Sequence, residues 1–226
     1  MMAINEISNG KPSNDTFEKM DRMYRIQRHF YDLTRKYYLL GRDRLLEGLD
    51  VKDNDHVLEV GCGTGRNIIL LAQRYPNSRF YGLDASEAML DTAKRECRKA
   101  GVTNLRFVRA LADDYAFERS FGLDRPFDVI FFSFSISMIP TWRESIVNAF
   151  KNLKPSGSIR IVDFYDQRDM PRSFRTLLRK WLGLFHVEIP LELIEYLEVA
   201  REDRNLAVEL FKLYRGYTFI AKISRK

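Results

Sequence analysis

Val57-Leu58-Glu59-Val60-Gly61-Cys62-Gly63-Thr64-Gly65-Arg66-Asn67 reads as a strand, a glycine turn and the start of a helix. The apolar run from Val57 to Val60 has the length and composition of a buried strand. Ile68, Leu70, Leu71 and Ala72 then supply the apolar positions expected of a helix. Strand, glycine turn and helix together bring bare backbone against a nucleotide-like ligand. The glycines fall at 61, 63 and 65, and the third glycine of a G-x-G-x-x-G turn would fall at Arg66. The turn is therefore not of the dinucleotide type. A second apolar run, Phe80-Tyr81-Gly82-Leu83, ends in Asp84, 19 residues beyond Gly65. A carboxylate at the end of the next strand is placed to hold a ribose diol.

Strand and helix signals alternate outward from this turn. Strands are expected near 56–60, 79–84, 104–109, 127–133 and 157–164, with helices near 66–74, 86–100 and 142–153. Ser86 is in position to cap the helix it precedes. Pro76-Asn77 and Pro155-Ser156-Gly157 read as turns. Such alternation predicts a parallel sheet, with ligands bound beyond the carboxyl ends of its strands. Glu59, Asp84, Arg109 to Ala112, Phe132 to Ser135 and Asp163 to Tyr165 all fall at those ends. Two further strands, Leu206 to Phe211 and Tyr217 to Ile223, flank a turn at Arg215-Gly216 and read as an antiparallel hairpin.

The 226 residues, 45% hydrophobic, suit one α/β domain. A net charge of +6 favours anionic partners: nucleic acid, lipid headgroups or acidic small molecules. Two cysteines, Cys62 and Cys97, make neither a disulfide framework nor a metal site, which fits a reducing cytoplasm. No run is long and apolar enough to span a bilayer, so any membrane contact is expected to be peripheral. Residues 1–15 read as a disordered tail and 16–226 as a single domain. Within it, residues 16–50 read as helices capping the site. Tyr24, Tyr31 and Tyr38 recur there every seven residues, with arginines between them. Residues 168–203 read as a helical insertion after the fifth strand. Over residues 170–186, Phe174, Leu177, Leu178, Trp181, Leu182 and Phe185 oppose Arg172, Arg175, Arg179 and Lys180. That pattern suits an interfacial helix on an anionic bilayer, or equally an insertion packed on the domain.

The E-x-G-x-G-x-G pattern with Asp84 resembles motif I of the class I S-adenosylmethionine (SAM)-dependent methyltransferases. This resemblance implies a Rossmann-like, mostly parallel sheet with an antiparallel C-terminal strand. It also implies SAM as cofactor, S-adenosylhomocysteine as product, and no metal. Gly61, Cys62, Gly63 and Gly65 would approach the methionine part, and Asp84 would hold the ribose. Ala85 or Met89 would lie against the adenine, with Ser133 at the end of the fourth strand also near the cofactor. Glu59 would order the glycine turn or reach the SAM ammonium. The family's third strand ends in an Asp-Ala pair that meets the adenine amino group. Here the pair is Leu111-Ala112, so the acid is missing and the contact would come from Asp113 or from backbone alone. No Asn-Pro-Pro-Tyr or Asp-Pro-Pro-Tyr follows the fourth strand, which argues against adenine-N6 or cytosine-N4 methylation of DNA.

Longer stretches are similar to the bacterial betaine-lipid N-methyltransferases. They are Tyr24 to Arg42, Phe132 to Trp142, Ile161 to Phe164, Met170 to Val187 and Leu213 to Tyr217. The similarity implies three successive SAM-dependent methylations of diacylglyceryl-homoserine, giving diacylglyceryl-N,N,N-trimethylhomoserine. Tyr24, Tyr31, Tyr38, Phe134 and Tyr165 would then face the ammonium. One of Arg28, Arg35, Arg42 and Arg172 would meet the acceptor carboxylate. His29, His186, an acid near the site or solvent would take the amine proton. The enzyme would work from the cytoplasm at the inner face of the membrane, contacting it through residues 170–186, with no nucleic acid involved. The alternatives are a phosphatidylethanolamine or small-molecule N-methyltransferase and an RNA-directed SAM-binding protein.

Overall fold

The computed structural model describes residues 39–173, 175, 176, 178 and 191–226. In chain order the elements are α1 (Arg42–Glu47), β1 (His56–Val60), α2 (Arg66–Arg74), β2 (Arg79–Asp84), α3 (Glu87–Lys99) and β3 (Leu105–Arg109). There follow α4 (Phe117–Phe121), β4 (Phe127–Ser133), a 3-10 turn (Ile136–Met138) and α5 (Trp142–Lys151). Then come β5 (Leu153–Phe164), α6 (Leu191–Ala200), β6 (Leu206–Leu213) and β7 (Thr218–Arg225). The strands form one seven-stranded sheet in the order β3-β2-β1-β4-β5-β7-β6. The pairs from β3 through to β5 are parallel, and β7 runs antiparallel to both β5 and β6. This is the Rossmann-like class I methyltransferase topology expected from the sequence.

The sheet carries apolar layers on both faces, which is why β1 and β4 are almost continuously apolar. Val57, Phe80, Val129, Phe131, Val162 and Phe164 share one layer with Leu45, Leu46 and Leu49 of the α1 segment and with Ile68 and Leu71 of α2. Leu58, Tyr81, Ile130, Phe132, Ile159, Ile161 and Phe219 share the other with Ile146 of α5 and Leu193 and Leu197 of α6. Strand alternation assigns successive residues to opposite layers.

Two sequence expectations need correction, and a third finding bears on a choice left open. On α2, Leu70 is 46% exposed while Ile69 is buried. At 100° per residue, position 70 turns away from the stripe defined by 68, 71 and 72. Pro155-Ser156-Gly157 does not separate elements but lies inside β5. The ladder steps from Phe127↔Leu153 to Val129↔Ser158, so the extra residues of β5 bulge out where a proline cannot donate to the ladder. In the segment read as an interfacial helix or a packed insertion, Leu178 is buried in the α1-side core layer, as packing on the domain requires of that position. Most of residues 170–186 lies outside the described residues, as do 1–38, so of the tail and the capping segment 16–50 only 39–50, with α1, is reached. Among the described residues, no helix is long and apolar enough to cross a membrane.

Candidate functional site

The carboxyl ends of β1, β2, β3, β4 and β5 meet at one edge of the sheet, because the five strands are parallel and in register. The turn after β1 is tightly built. Gly61, Gly63 and Gly65 have φ of 71°, 54° and 77°, a left-handed region that costs other residues free energy. A Cβ on Gly61 would stand 2.6 Å from the Ser135 Cβ, and one on Gly65 would stand 3.0 Å from the Ala93 Cβ. The N–H groups of Gly61 and Cys62 both donate to the Leu83 carbonyl, at 2.8 and 2.9 Å. The Ser135 hydroxyl donates to the Val60 carbonyl at 2.8 Å, tying the turn to the β4 end.

Asp84 closes the turn from the other side. Its Oδ2 accepts from the Gly63 N–H at 2.8 Å and its Oδ1 from the Ser86 N–H at 2.9 Å. A carboxylate has lone pairs left after two such bonds, so a ribose diol can still donate to it. The Glu59 Oε1 accepts from the Asn67 amide at 2.8 Å, joining the last turn of β1 to the first turn of α2. That bond fits the ordering role and leaves the ammonium role open. Cys62 is buried, and burial, followed by the charges of Asp84 and Glu59, pushes its thiol well above the ordinary range. The thiol therefore stays protonated, and Cys62 serves the turn through its backbone.

The adenine side is built from β2 and β3. Ala85 is buried, and its carbonyl accepts from the Arg109 Nε–H at 3.0 Å. Met89 is buried in α3, and its N–H donates to the capping Ser86 hydroxyl at 3.4 Å. Leu111 and Asp114 form an isolated bridge around Ala112 and Asp113. The Asn148 amide donates to the carbonyls of Ala112 and Tyr115 at 3.3 and 3.1 Å, fixing this turn to α5. Ser133 ends β4 with its hydroxyl buried.

The acceptor side differs from expectation. Phe134 is buried with φ 51°, packs edge-on to Phe164 at 5.0 Å, and belongs to the α1-side core. Tyr165 is buried in the opposite layer against Phe219. The Lys212 ammonium stands 4.7 Å from the Tyr165 ring centroid, and its bond to the Tyr165 hydroxyl raises its pKa. The two rings therefore do not form a common cage, and the face of Tyr165 already carries a cation. Arg42 is buried and spends its guanidinium on Asp43 at 3.0 Å. Arg172 is exposed in a helical turn. Tyr24, Tyr31, Tyr38, Arg28, Arg35, His29 and His186 lie outside the described residues.

Several site residues carry no motif in the sequence. Asp163 at the end of β5 is wholly buried; its Oδ1 accepts from the Phe164 N–H at 2.8 Å and its Oδ2 from the Ser137 N–H at 3.1 Å. Burial raises it to about 6, although those bonds pull the other way. Ser137, Ser135 and Asn67 act through contacts that only the folded chain creates. No group of three or more metal-ligating side chains occurs among the described residues.

A turn of three left-handed glycines locked to an acid on the neighbouring strand is a cradle for a nucleoside-bearing ligand. A methyltransferase domain model matches residues 51–205. The chain belongs to the methyltransferase domain family. Among curated relatives, a demethylmenaquinone methyltransferase of Bacillus cytotoxicus is 27% identical over 147 residues, covering 65% of this chain and 59% of that protein. A trans-aconitate 2-methyltransferase of Delftia acidovorans is 32% identical over 117 residues, covering 52% of this chain and 41% of the relative. The chain thus spans little more than half the length of the former and less of the latter. Among solved structures, the DhpI complex with S-adenosylhomocysteine aligns with TM-score 0.63 at 21% identity over 95% of this chain and 98% of that one. A SAM-dependent methyltransferase from Aquifex aeolicus aligns with TM-score 0.59 at 19% identity over 94% and 98%. At these identities the structures establish the shared fold.

Proposed function

We propose that the protein is a SAM-dependent N-methyltransferase that trimethylates the amine of diacylglyceryl-homoserine. Its product is the betaine lipid diacylglyceryl-N,N,N-trimethylhomoserine. For the cofactor half, the glycine turn and Asp84 fit SAM. Family membership and structural neighbours crystallised with SAM or its product support the same ligand.

For the acceptor half, one observation carries the reading. Three stretches that carry the betaine-lipid resemblance, Phe132 to Trp142, Ile161 to Phe164 and Leu213 to Tyr217, are far apart in sequence and meet at the same edge of the sheet. The Phe134 N–H donates to the Val162 carbonyl at 2.8 Å, and the Tyr165 N–H to the Tyr217 carbonyl at 2.9 Å. Asp163 accepts from the Ser137 N–H. The acceptor in a methyl transfer must stand beyond this edge, in line with the sulfur and the methyl carbon. Lys212 against Tyr165 and Arg44 over Tyr214, the latter at 5.8 Å, are cations beside this end of β5 and β7. Cations there suit an acceptor that carries a carboxylate. Peripheral contact with the cytoplasmic face of the membrane through residues 170–186 belongs to the same reading.

In each transfer the nitrogen lone pair forms the N–CH3 bond while the C–S bond breaks onto sulfur, and one amine proton leaves. The test is acceptor competition with methyl-labelled SAM and the full chain. Diacylglyceryl-homoserine, phosphatidylethanolamine and a demethylated quinone are offered together in mixed micelles. The expected result is label on diacylglyceryl-homoserine; label confined to either competitor overturns the proposal.

A further inference from the structure

Among the described residues, buried polar side-chain atoms without a hydrogen-bond partner include His56 Nδ1 and the Tyr115 hydroxyl, and a further set at the carboxyl end of the sheet. There, Ser133 Oγ, both amide atoms of Gln167 and Thr218 Oγ1 have none. All belong to segments at the carboxyl ends of β4 and β5 or, for Thr218, to the residue paired with Phe164 at the β5 end. Buried polar groups are normally paired, so each exception asks for a reason.

Gln167 is the strongest exception. Its side chain is 0% exposed, yet neither the amide oxygen nor the amide nitrogen has a partner. Its backbone is left-handed, at φ 59°, where an unbranched non-glycine residue is disfavoured. The conformation is held firmly: the Gln167 N–H donates to the Gly216 carbonyl at 2.8 Å, and the Met170 N–H donates to the Gln167 carbonyl at 3.2 Å. A methionine would fill the same space without burying an unpaired amide. Two local costs at one fixed residue, beside the edge where the acceptor must stand, mark a place that a ligand completes.

We propose that the Gln167 amide binds the acceptor's amine head group, its oxygen accepting an N–H of the reacting nitrogen. The proposal rests on the N-methyltransferase reading above and names a residue that selects the acceptor. A neutral amide suits this task. A carboxylate in its place would hold the nitrogen as ammonium, with no lone pair to offer. The amide oxygen orients the N–H and leaves the lone pair directed at the methyl donor. Each transfer replaces an N–H by N–CH3, so the neutral amine offers this contact two N–H groups, then one, and none once two methyls are on.

The test compares wild type with Gln167→Met and Gln167→Asn in full-length protein. Thermal unfolding, S-adenosylhomocysteine binding and kinetics are measured with diacylglyceryl-homoserine and with its N,N-dimethyl form. Gln167→Met is expected to melt at or above wild type and to bind S-adenosylhomocysteine equally well. It is expected to raise KM for the unmethylated lipid at least tenfold and KM for the dimethyl lipid much less, with Gln167→Asn between wild type and Met. An unchanged KM in a stable Met variant overturns the proposal. So does a variant that melts well below wild type with both acceptors affected alike. If wild type labels phosphatidylethanolamine instead, the betaine-lipid reading fails alone, and the Met variant is read on that amine, which carries the same N–H groups. Label on no amine overturns both.

Discussion

The Asp84 carboxylate accepts the Gly63 N–H at 2.8 Å, so the acid that ends β2 also fixes the glycine turn that ends β1. Its other oxygen accepts the Ser86 N–H, which extends the hold to the start of α3. Cofactor binding and turn geometry therefore depend on one side chain. In Asp84→Asn, one oxygen becomes an NH2 group facing a backbone N–H. Bonds to a charged acceptor are worth about 1.5–3 kcal/mol, so the Kd for SAM should rise roughly tenfold or more. Calorimetric titration with SAM measures this directly.

Gly61→Ala meets two obstacles, a φ of 71° and a Ser135 Cβ at 2.6 Å. The left-handed backbone alone costs about 1–3 kcal/mol. Gly61→Ala should lower the unfolding free energy and abolish SAM binding. Adding Ser135→Gly removes the clash but not the backbone cost, so the double variant should recover part of the stability. Denaturant unfolding of the single and double variants measures the coupling.

Asp163 gives a pH signature. Burial raises it from an ordinary 3.8 to about 6 in the folded chain. The folded chain thus holds this proton more tightly than the unfolded chain. The advantage is complete below the unfolded value and is lost as pH rises through about 6. Relative to Asp163→Asn, which does not titrate, wild type should lose about 3 kcal/mol of stability between pH about 4 and pH about 6, with no further loss above. Unfolding curves of both proteins across that range test the sign and the window.

The sheet was legible because its signals are local. Val57 to Val60 and Phe127 to Ser133 are apolar runs of strand length, and Gly61, Gly63 and Gly65 allow one kind of turn. Asp84 was legible through its distance from that turn. Leu70 misled because four apolar residues in a row hide which one breaks the helical stripe. Phe134 and Tyr165 misled because an aromatic at a strand end reads alike whether it faces a ligand or the core. Neighbours distant in sequence decide between the two: Phe164 for Phe134, and Lys212 with Phe219 for Tyr165. Gln167 carried no signal, and Asp163 only its place at a strand end, because burial and pairing exist only once β5, β7 and the β4 turn have met.

The basic segment after β5 offers a test of membrane contact. Leu178 is buried in the core, so one apolar position of the expected interfacial face already packs on the domain. Charge reversal at Arg175 and Arg179 together should weaken flotation with phosphatidylglycerol vesicles by severalfold while leaving binding to neutral phosphatidylcholine vesicles unchanged, each basic residue near an anionic surface being worth about 1 kcal/mol. Equal flotation of variant and wild type would assign the segment to packing alone.

The most direct measurement of the central claim is mass spectrometry of diacylglyceryl-homoserine after incubation with the full chain and excess SAM. The account predicts products heavier by one, then two, then three methyl groups, with the trimethylated lipid accumulating at the end. An unmodified lipid, under conditions where the chain binds SAM, would contradict it.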